Sequence, residues 1–227
     1  MNPVRKDETE QTQNSNGVSN GVKRILIFSL TYHPFVGGAE VAIKEITDRL
    51  PEYEFHMITL RFDKMLSPVE QVGNITVYRL GPAIMNAHVS DRNMPFTLRL
   101  AKLLFPINAA FAAFVLHREY HYSATWAMMA NHAGFAGMLF KLFHPNVPHV
   151  LELQDGRAFS DMKERQPILR FIWPLYERVY RAANIIKVIS HFLAGEVSKL
   201  GVSVPVPVIP NGVDVAKFSA PVREETV

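Results

Sequence analysis

Between Arg24 and Leu50 the hydrophobic pattern changes period once, and that change leaves few folds open. Residues 24–30, RILIFSL, form a nearly continuous apolar run. A strand covered on both faces has this pattern. Pro34 and Gly37-Gly38 then interrupt regular structure. Ala39, Ala42, Ile43, Ile46 and Leu50 follow at i, i+3, i+4, i+7 and i+11, one stripe of a helix, and Pro51 ends it. A buried strand, a glycine loop and an amphipathic helix are the opening unit of an α/β fold.

The same alternation continues. Apolar strands are predicted at 55–60, 75–80, 124–128, 148–153, 185–189 and 206–209, and helices at 96–117, 133–143 and 168–182. Ser190 is placed to N-cap a helix that follows 185–189, and Gly201 stands where a C-terminal glycine belongs. Residues 67–74 and 83–95 read as loops. The fold class is therefore α/β, a Rossmann-like, doubly wound, mostly parallel sheet of six or more strands, about one per apolar run. Ligands of such sheets bind beyond the carboxyl ends of the strands. Residues 1–22 are polar, with nothing to bury, and read as a disordered tail without the apolar core of a signal peptide.

Composition removes several function classes. The chain has no cysteine, so it has neither a disulfide framework nor a thiolate metal site, and a cytoplasmic location is the expectation. No His-Glu-x-x-His or Asp-x-Asp pattern offers a metal site, and no metal or other cofactor is expected. A formal charge of +3 without any basic run argues against nucleic acid. Residues 103–116 are uncharged but fall short of the roughly 18 needed to span a bilayer. They read as a buried helix. The alternative is an interfacial helix flanked by Arg99 and Lys102, giving a peripheral membrane contact.

Each candidate chemical residue lies just after a strand. Gly37 and Gly38 let backbone approach a ligand, and the helix start behind them offers free N–H groups that suit a diphosphate. A tight turn using φ > 0 is the structural alternative. Glu40 stands in the first helical turn, where an anion favours the helix dipole, and His33 lies in the same loop. Asp155, before Gly156, could orient a hydroxyl or accept a proton, or simply form a turn. Ser190 ends a strand and begins a helix, so a cap competes with a cleft role. Phe171, Trp173, Tyr176 and Tyr180 have core spacing.

Thr31-Tyr-His-Pro-Phe-Val-Gly-Gly-Ala-Glu40, the final strand–helix pair and Val208-Ile-Pro-Asn-Gly-Val-Asp214 together resemble the N-terminal half of a family-4, GT-B-type glycosyltransferase. The resemblance spans 23–218. It implies an acceptor-side domain at 23–210 and, at 211–227, an interdomain linker leading to a C-terminal donor domain outside these residues. It also implies a retaining transfer from a nucleotide-sugar donor to an acceptor hydroxyl on a glycan, lipid or other molecule. Gly37, Gly38, His33, Glu40 and Ser190 would line the donor-phosphate cleft, and Asp155 would be the catalytic candidate. Many family members carry a histidine–glycine pair where this chain has Asp155-Gly156. The paired glutamates with seven residues between them that serve the nucleotide in relatives do not occur here. Residues 1–227 alone are therefore expected to be inactive. The alternative is a non-catalytic binding or regulatory half that pairs with a separate donor domain. A dinucleotide-binding oxidoreductase domain would need the full glycine fingerprint, which is missing.

Overall fold

A computed structural model describes residues 22–82, 95–165, 168–213 and 215. The expected N-terminal tail, the 83–95 loop apart from Pro95, and most of the 211–227 linker lie outside the described residues.

Seven strands form one sheet: β1 (Lys23–Phe28), β2 (Tyr53–Leu60), β3 (Val69–Val72), β4 (Ile75–Leu80), β5 (Ala124–Met128), β6 (His149–Leu153) and β7 (Ile185–Val188). Their order is β3-β4-β2-β1-β5-β6-β7. Every pairing is parallel except β3 with β4 at the edge. The helices are α1 (Gly38–Thr47), α2 (Phe96–Tyr120), α3 (His132–Phe143), α4 (Phe159–Arg165), α5 (Ile168–Ala182) and α6 (His191–Ser198). The doubly wound, mostly parallel sheet is thus present.

The central strands are buried on both faces, β1 as its nearly continuous apolar run predicts, whereas β3 and β4 at the edge are only partly covered. Leu26 and Phe28 point into one core with residues of α2, α3, α5 and α6. Ile27, between them, points into the other core with Ile43 of α1. The chain builds outward from β1 to β2 and β4, then returns through α2 to the other side of β1. The sheet therefore reverses direction between β1 and β5, which is where doubly wound folds open a crevice.

Three local expectations change. Residues 69–72, read as loop, pair with β4 as a hairpin through Gly73, whose φ of 58° suits a residue without Cβ. Residues 206–209 form only an isolated parallel bridge, Val188 to Val208. Pro205 and Pro207 accept from the N–H groups of Ile186 and Val188 but have no N–H to return, so the ladder cannot extend. Within α1, Ala42 and Ile43 are buried while Ile46 faces outward, and Thr47 takes its place in the core by bonding back to the Ile43 carbonyl at 3.0 Å.

Candidate functional site

A cavity of about 520 Å³ opens at the carboxyl end of the sheet, at the β1–β5 reversal. Leu30 after β1, Met129 to His132 after β5, Leu153 at the end of β6 and Asp155 just beyond it reach it. Lys102, Leu103 and Pro106 of α2 form one wall, and Ile172, Tyr176 and Tyr180 of α5 form another. The lining is largely apolar with a few polar groups, the usual composition of a small-molecule site.

The turn from β5 into α3 is unusual. Met129 holds φ of 73°, a left-handed conformation that costs an L-residue about 1–2 kcal/mol. Its N–H donates to the Glu152 carbonyl at 2.7 Å, and its sulfur accepts from the Gln154 N–H at 3.3 Å. These bonds pin the turn, and the chain then enters α3 with Asn131 as N-cap, its side chain accepting from the Ala133 N–H at 3.2 Å. His132 begins the helix inside the cavity. Burial holds its imidazole below the usual range, and the nearby Lys102 ammonium pushes the same way.

Asp155 reaches the cavity but is already engaged. Its carboxylate accepts from Nε of Arg157 at 2.9 and 2.8 Å, from Nη2 of the same guanidinium, and from the Arg157 N–H at 3.2 Å. This charge-assisted, bidentate contact raises the Arg157 pKa further and fixes Asp155 as an acceptor aimed by its neighbour. Behind this loop, Glu196 of α6 accepts from the Phe159 N–H at 2.8 Å and anchors the start of α4. The hydrogen bonds from Lys199 and from Phe159 hold the Glu196 carboxyl below its usual range.

The other predicted residues occupy the same carboxyl edge without lining the cavity. Gly37 is the N-cap of α1, with φ of −127°. Neither Gly37 nor Gly38 adopts positive φ, so these glycines are not explained by turn geometry. A Cβ on Gly38 would meet nothing within 4 Å, which leaves the start of α1 open to approach. Glu40 accepts a hydrogen bond from the Thr31 hydroxyl and so ties the loop to the helix. The His33 carbonyl accepts from Arg79 at 2.8 Å, while its Nε2 is buried without a partner. Ser190 caps α6, accepting from the Leu193 N–H at 3.3 Å, and Leu193 itself lines the cavity.

Trp173, Tyr176 and Tyr180 are buried, as their spacing indicates, whereas Phe171 is exposed. Tyr176 and Tyr180 nevertheless present part of their surface to the cavity. The sequence reading missed Lys102, Asn131, His132 and Arg157. His132 follows a strand by four residues, the signal used for the other loops. Lys102 carries no local signal, because only the crossing of α2 over the sheet brings it there. Asn211 of the Pro-Asn-Gly segment pairs with Gln154 after β6, donating at 3.0 Å and accepting at 3.3 Å.

A family model described as Glycosyltransferase Family 4 matches residues 36–217. No curated protein sequence matches the chain. Among solved structures, sucrose-phosphate synthase from Thermosynechococcus elongatus superposes with a TM-score of 0.61 at 14% identity, over 86% of this chain and 49% of that one. A trehalose-6-phosphate structure from E. coli bound with UDP-2-fluoro glucose gives a TM-score of 0.55 at 14% identity, over 86% and 50%. A glycosyltransferase from Rickettsia africae ESF-5 gives 0.54 at 12% identity, over 87% and 45%. The chain thus spans about half the length of these structures.

Proposed function

Because the chain belongs to glycosyltransferase family 4 and folds as one half of a GT-B enzyme, we propose that it is the acceptor-side half of a retaining transferase. It moves a sugar from a nucleotide-sugar donor to an acceptor hydroxyl. The observation that carries this reading is the cavity at the sheet reversal, with a carboxylate, an amide and an imidazole converging on one apolar-walled space. The acceptor occupies this cavity. Asp155, oriented by Arg157, accepts a hydrogen bond from the attacking hydroxyl, and His132 and Asn131 fix the remaining polar groups.

The leaving diphosphate meets the open start of α1. Gly38 leaves the backbone bare there, next to Gly37, and the free N–H groups of the first turn oppose the developing charge. Glu40 holds this loop through Thr31, and His33 lies in the same loop, while Ser190 stands at the same carboxyl edge after β7. The similarity to a structure containing UDP-2-fluoro glucose supports a nucleotide sugar as the donor class. No metal or other cofactor is invoked. The protein works in the cytoplasm, a setting that a cysteine-free sequence permits.

Residues 1–227 by themselves supply one wall of the cleft. Base, ribose and sugar contacts would come from a donor domain, on the same chain or a separate one, and without that second wall the site is open to water. Residues 1–227 without that domain are therefore expected to be inactive or nearly so. The Asp155–Arg157 pair favours a second reading, a non-catalytic half that binds and regulates a separate donor domain, because the carboxylate is not free to act as a base.

The test is a nucleotide-sugar hydrolysis and transfer assay on the purified chain, with and without a separately produced family-4 donor domain. Turnover only with both supports the enzymatic half. Binding without turnover in both arms selects the regulatory reading. Robust transfer by residues 1–227 alone removes the proposal of an incomplete site.

A further inference from the structure

The carboxylate of Asp155 is held from within its own loop. Its bonds from Arg157 join residues two apart, so they stiffen the loop without fixing it to the sheet. Two anchors do that. Downstream, the Phe159 N–H reaches Glu196 of α6. Upstream, the anchor is Gln154. Its N–H donates to the sulfur of Met129 at 3.3 Å, and its Nε2 donates to Oε1 of Glu152 at 2.7 Å. Glu152 is 1% exposed and paired with the buried Lys187, so this end of the anchor is set in the core.

The other end of the anchor comes from far along the chain. Nε2 of Gln154 also donates to Oδ1 of Asn211 at 3.3 Å, and Nδ2 of Asn211 donates back to Gln154 Oε1 at 3.0 Å. The Gln154 amide thereby uses both N–H donors and its carbonyl, which fixes its orientation. Residues 205–209 run beside β7 and end with the Ile209 N–H on the Val188 carbonyl at 2.8 Å. Past that point, the pair with Gln154 supplies the only hydrogen bonds of residues 210–213 among the described residues. Asn211 is exposed, and a solvent-facing amide pair is a weak, reversible contact. The alternation of β6 continues past its last residue. Leu153 and Asp155 reach the cavity, while Glu152 and Gln154 fall on the opposite face, the side on which Val150 packs. Asn211 does not line the cavity and reaches it through one backbone step, from Gln154 to Asp155.

We propose that Gln154 is a positioning residue: it passes the seating of Asn211 to Asp155, so that Asp155 is aimed at the acceptor hydroxyl only while the Pro-Asn-Gly segment is docked. When Asn211 departs, Gln154 keeps its bond to Glu152 but regains rotamer freedom. Asp155 and Arg157 then shift together, because their pair moves with the loop. In an assembled transferase the segment leads toward the donor domain, so seating that domain and aiming the carboxylate become one event. The role given to Asp155 rests on the transferase reading; the coupling of Asn211 to the loop does not.

The test has two arms. In the first, amide hydrogen exchange is followed by NMR on residues 1–227. Asn211→Ala is expected to speed exchange at the Gln154 and Arg157 amides about fivefold and to leave Leu151 and Leu153 of β6 unchanged. Unchanged exchange at Gln154 and Arg157 would overturn the coupling, as would faster exchange throughout β6, which would assign Asn211 to the stability of the sheet. In the second arm, turnover is measured with the donor domain present. Asn211→Ala should lower kcat about fivefold, with the acceptor KM and the melting temperature unchanged. Asn211→Gln, which keeps the amide, should recover most of the loss. An unchanged kcat in Asn211→Ala, or no recovery in Asn211→Gln, would overturn the positioning role. No turnover by the assembled parent would overturn the transferase reading and with it the role of Asp155, while the exchange arm would still uphold or overturn the coupling.

Discussion

The Cβ that Gly137 lacks would stand 2.3 Å from Cε1 of His149. The imidazole of β6 fills the space that a side chain on α3 would need, and this fit brings α3 close to the sheet beside the cavity. His149 is fully buried; its Nδ1 pairs with the Thr125 hydroxyl at 2.8 Å, while its Nε2 has no partner.

Gly137→Ala should therefore destabilise the fold even though alanine is the better helix former. Overpacking of a rigid ring costs about 1–3 kcal/mol, which for a domain of this size lowers Tm by roughly 3–10 °C. Differential scanning calorimetry checks it; an unchanged or higher Tm would mean that the ring moves aside freely.

Acid should weaken the protein through the same histidine. Burial, helped by the Lys141 charge, holds the His149 pKa down to about 4 from 6.5. Its stabilising contribution is complete above about pH 6.5, where both states are neutral. Below that the unfolded chain takes the proton first, so stability falls as pH drops from about 6.5 through 4, by about 3 kcal/mol in all. Burial displaces His56 and His132 in the same direction. Urea titrations across this window should show the slope, and His149→Gln, which cannot titrate, should make it shallower, leaving the share due to His56 and His132.

Glu152 and Lys187 sit opposite each other on β6 and β7 and form a buried ion pair. Glu152 Oε1 also accepts from Gln154 at 2.7 Å, and Gln154 in turn holds Asn211. Glu152→Ala leaves an unpaired buried ammonium, at a cost of roughly 3–5 kcal/mol. Glu152→Leu/Lys187→Leu should recover most of that loss. Chemical denaturation of the three proteins decides it; a double variant as unstable as Glu152→Ala would show that the charge itself is not the cause.

Gly38→Val separates stability from function. A Cβ at Gly38 meets nothing within 4 Å, so the change in folding free energy should stay within about 1 kcal/mol, the scale of helix propensity. In the assembled transferase the same branched side chain stands where a diphosphate would approach, and donor-dependent turnover should fall at least tenfold, an order-of-magnitude figure for lost oxyanion contacts. Loss of melting temperature in proportion to lost turnover would assign Gly38 to the fold instead.

Much of this architecture was legible in the sequence. Residues 24–30 form a nearly continuous apolar run, and a sheet covered on both faces accepts such a strand. Ser190 was legible as a cap because its side chain bonds to its own next turn. What escaped reading was non-local. The hairpin at Val69–Val72 has weak strand character and exists because β4 offers an edge. The failure of 206–209 to form a full strand follows from prolines whose missing N–H groups matter only opposite β7.

The candidate site divides along the same line. Gly37, Gly38, Asp155 and Ser190 were singled out because each follows a strand, and chain order alone places them on one edge of a parallel sheet; of these, Asp155 lines the cavity. Lys102 comes from the start of a helix that crosses the sheet from β4 to β5, and Arg157 was hidden because its pairing with Asp155 is a matter of side-chain geometry. Hydrophobic period, read along the chain, determined which segments are strands and helices. Only the packed structure decided which polar groups share a cavity and which carboxylates are already engaged, because those depend on distances between residues far apart in sequence.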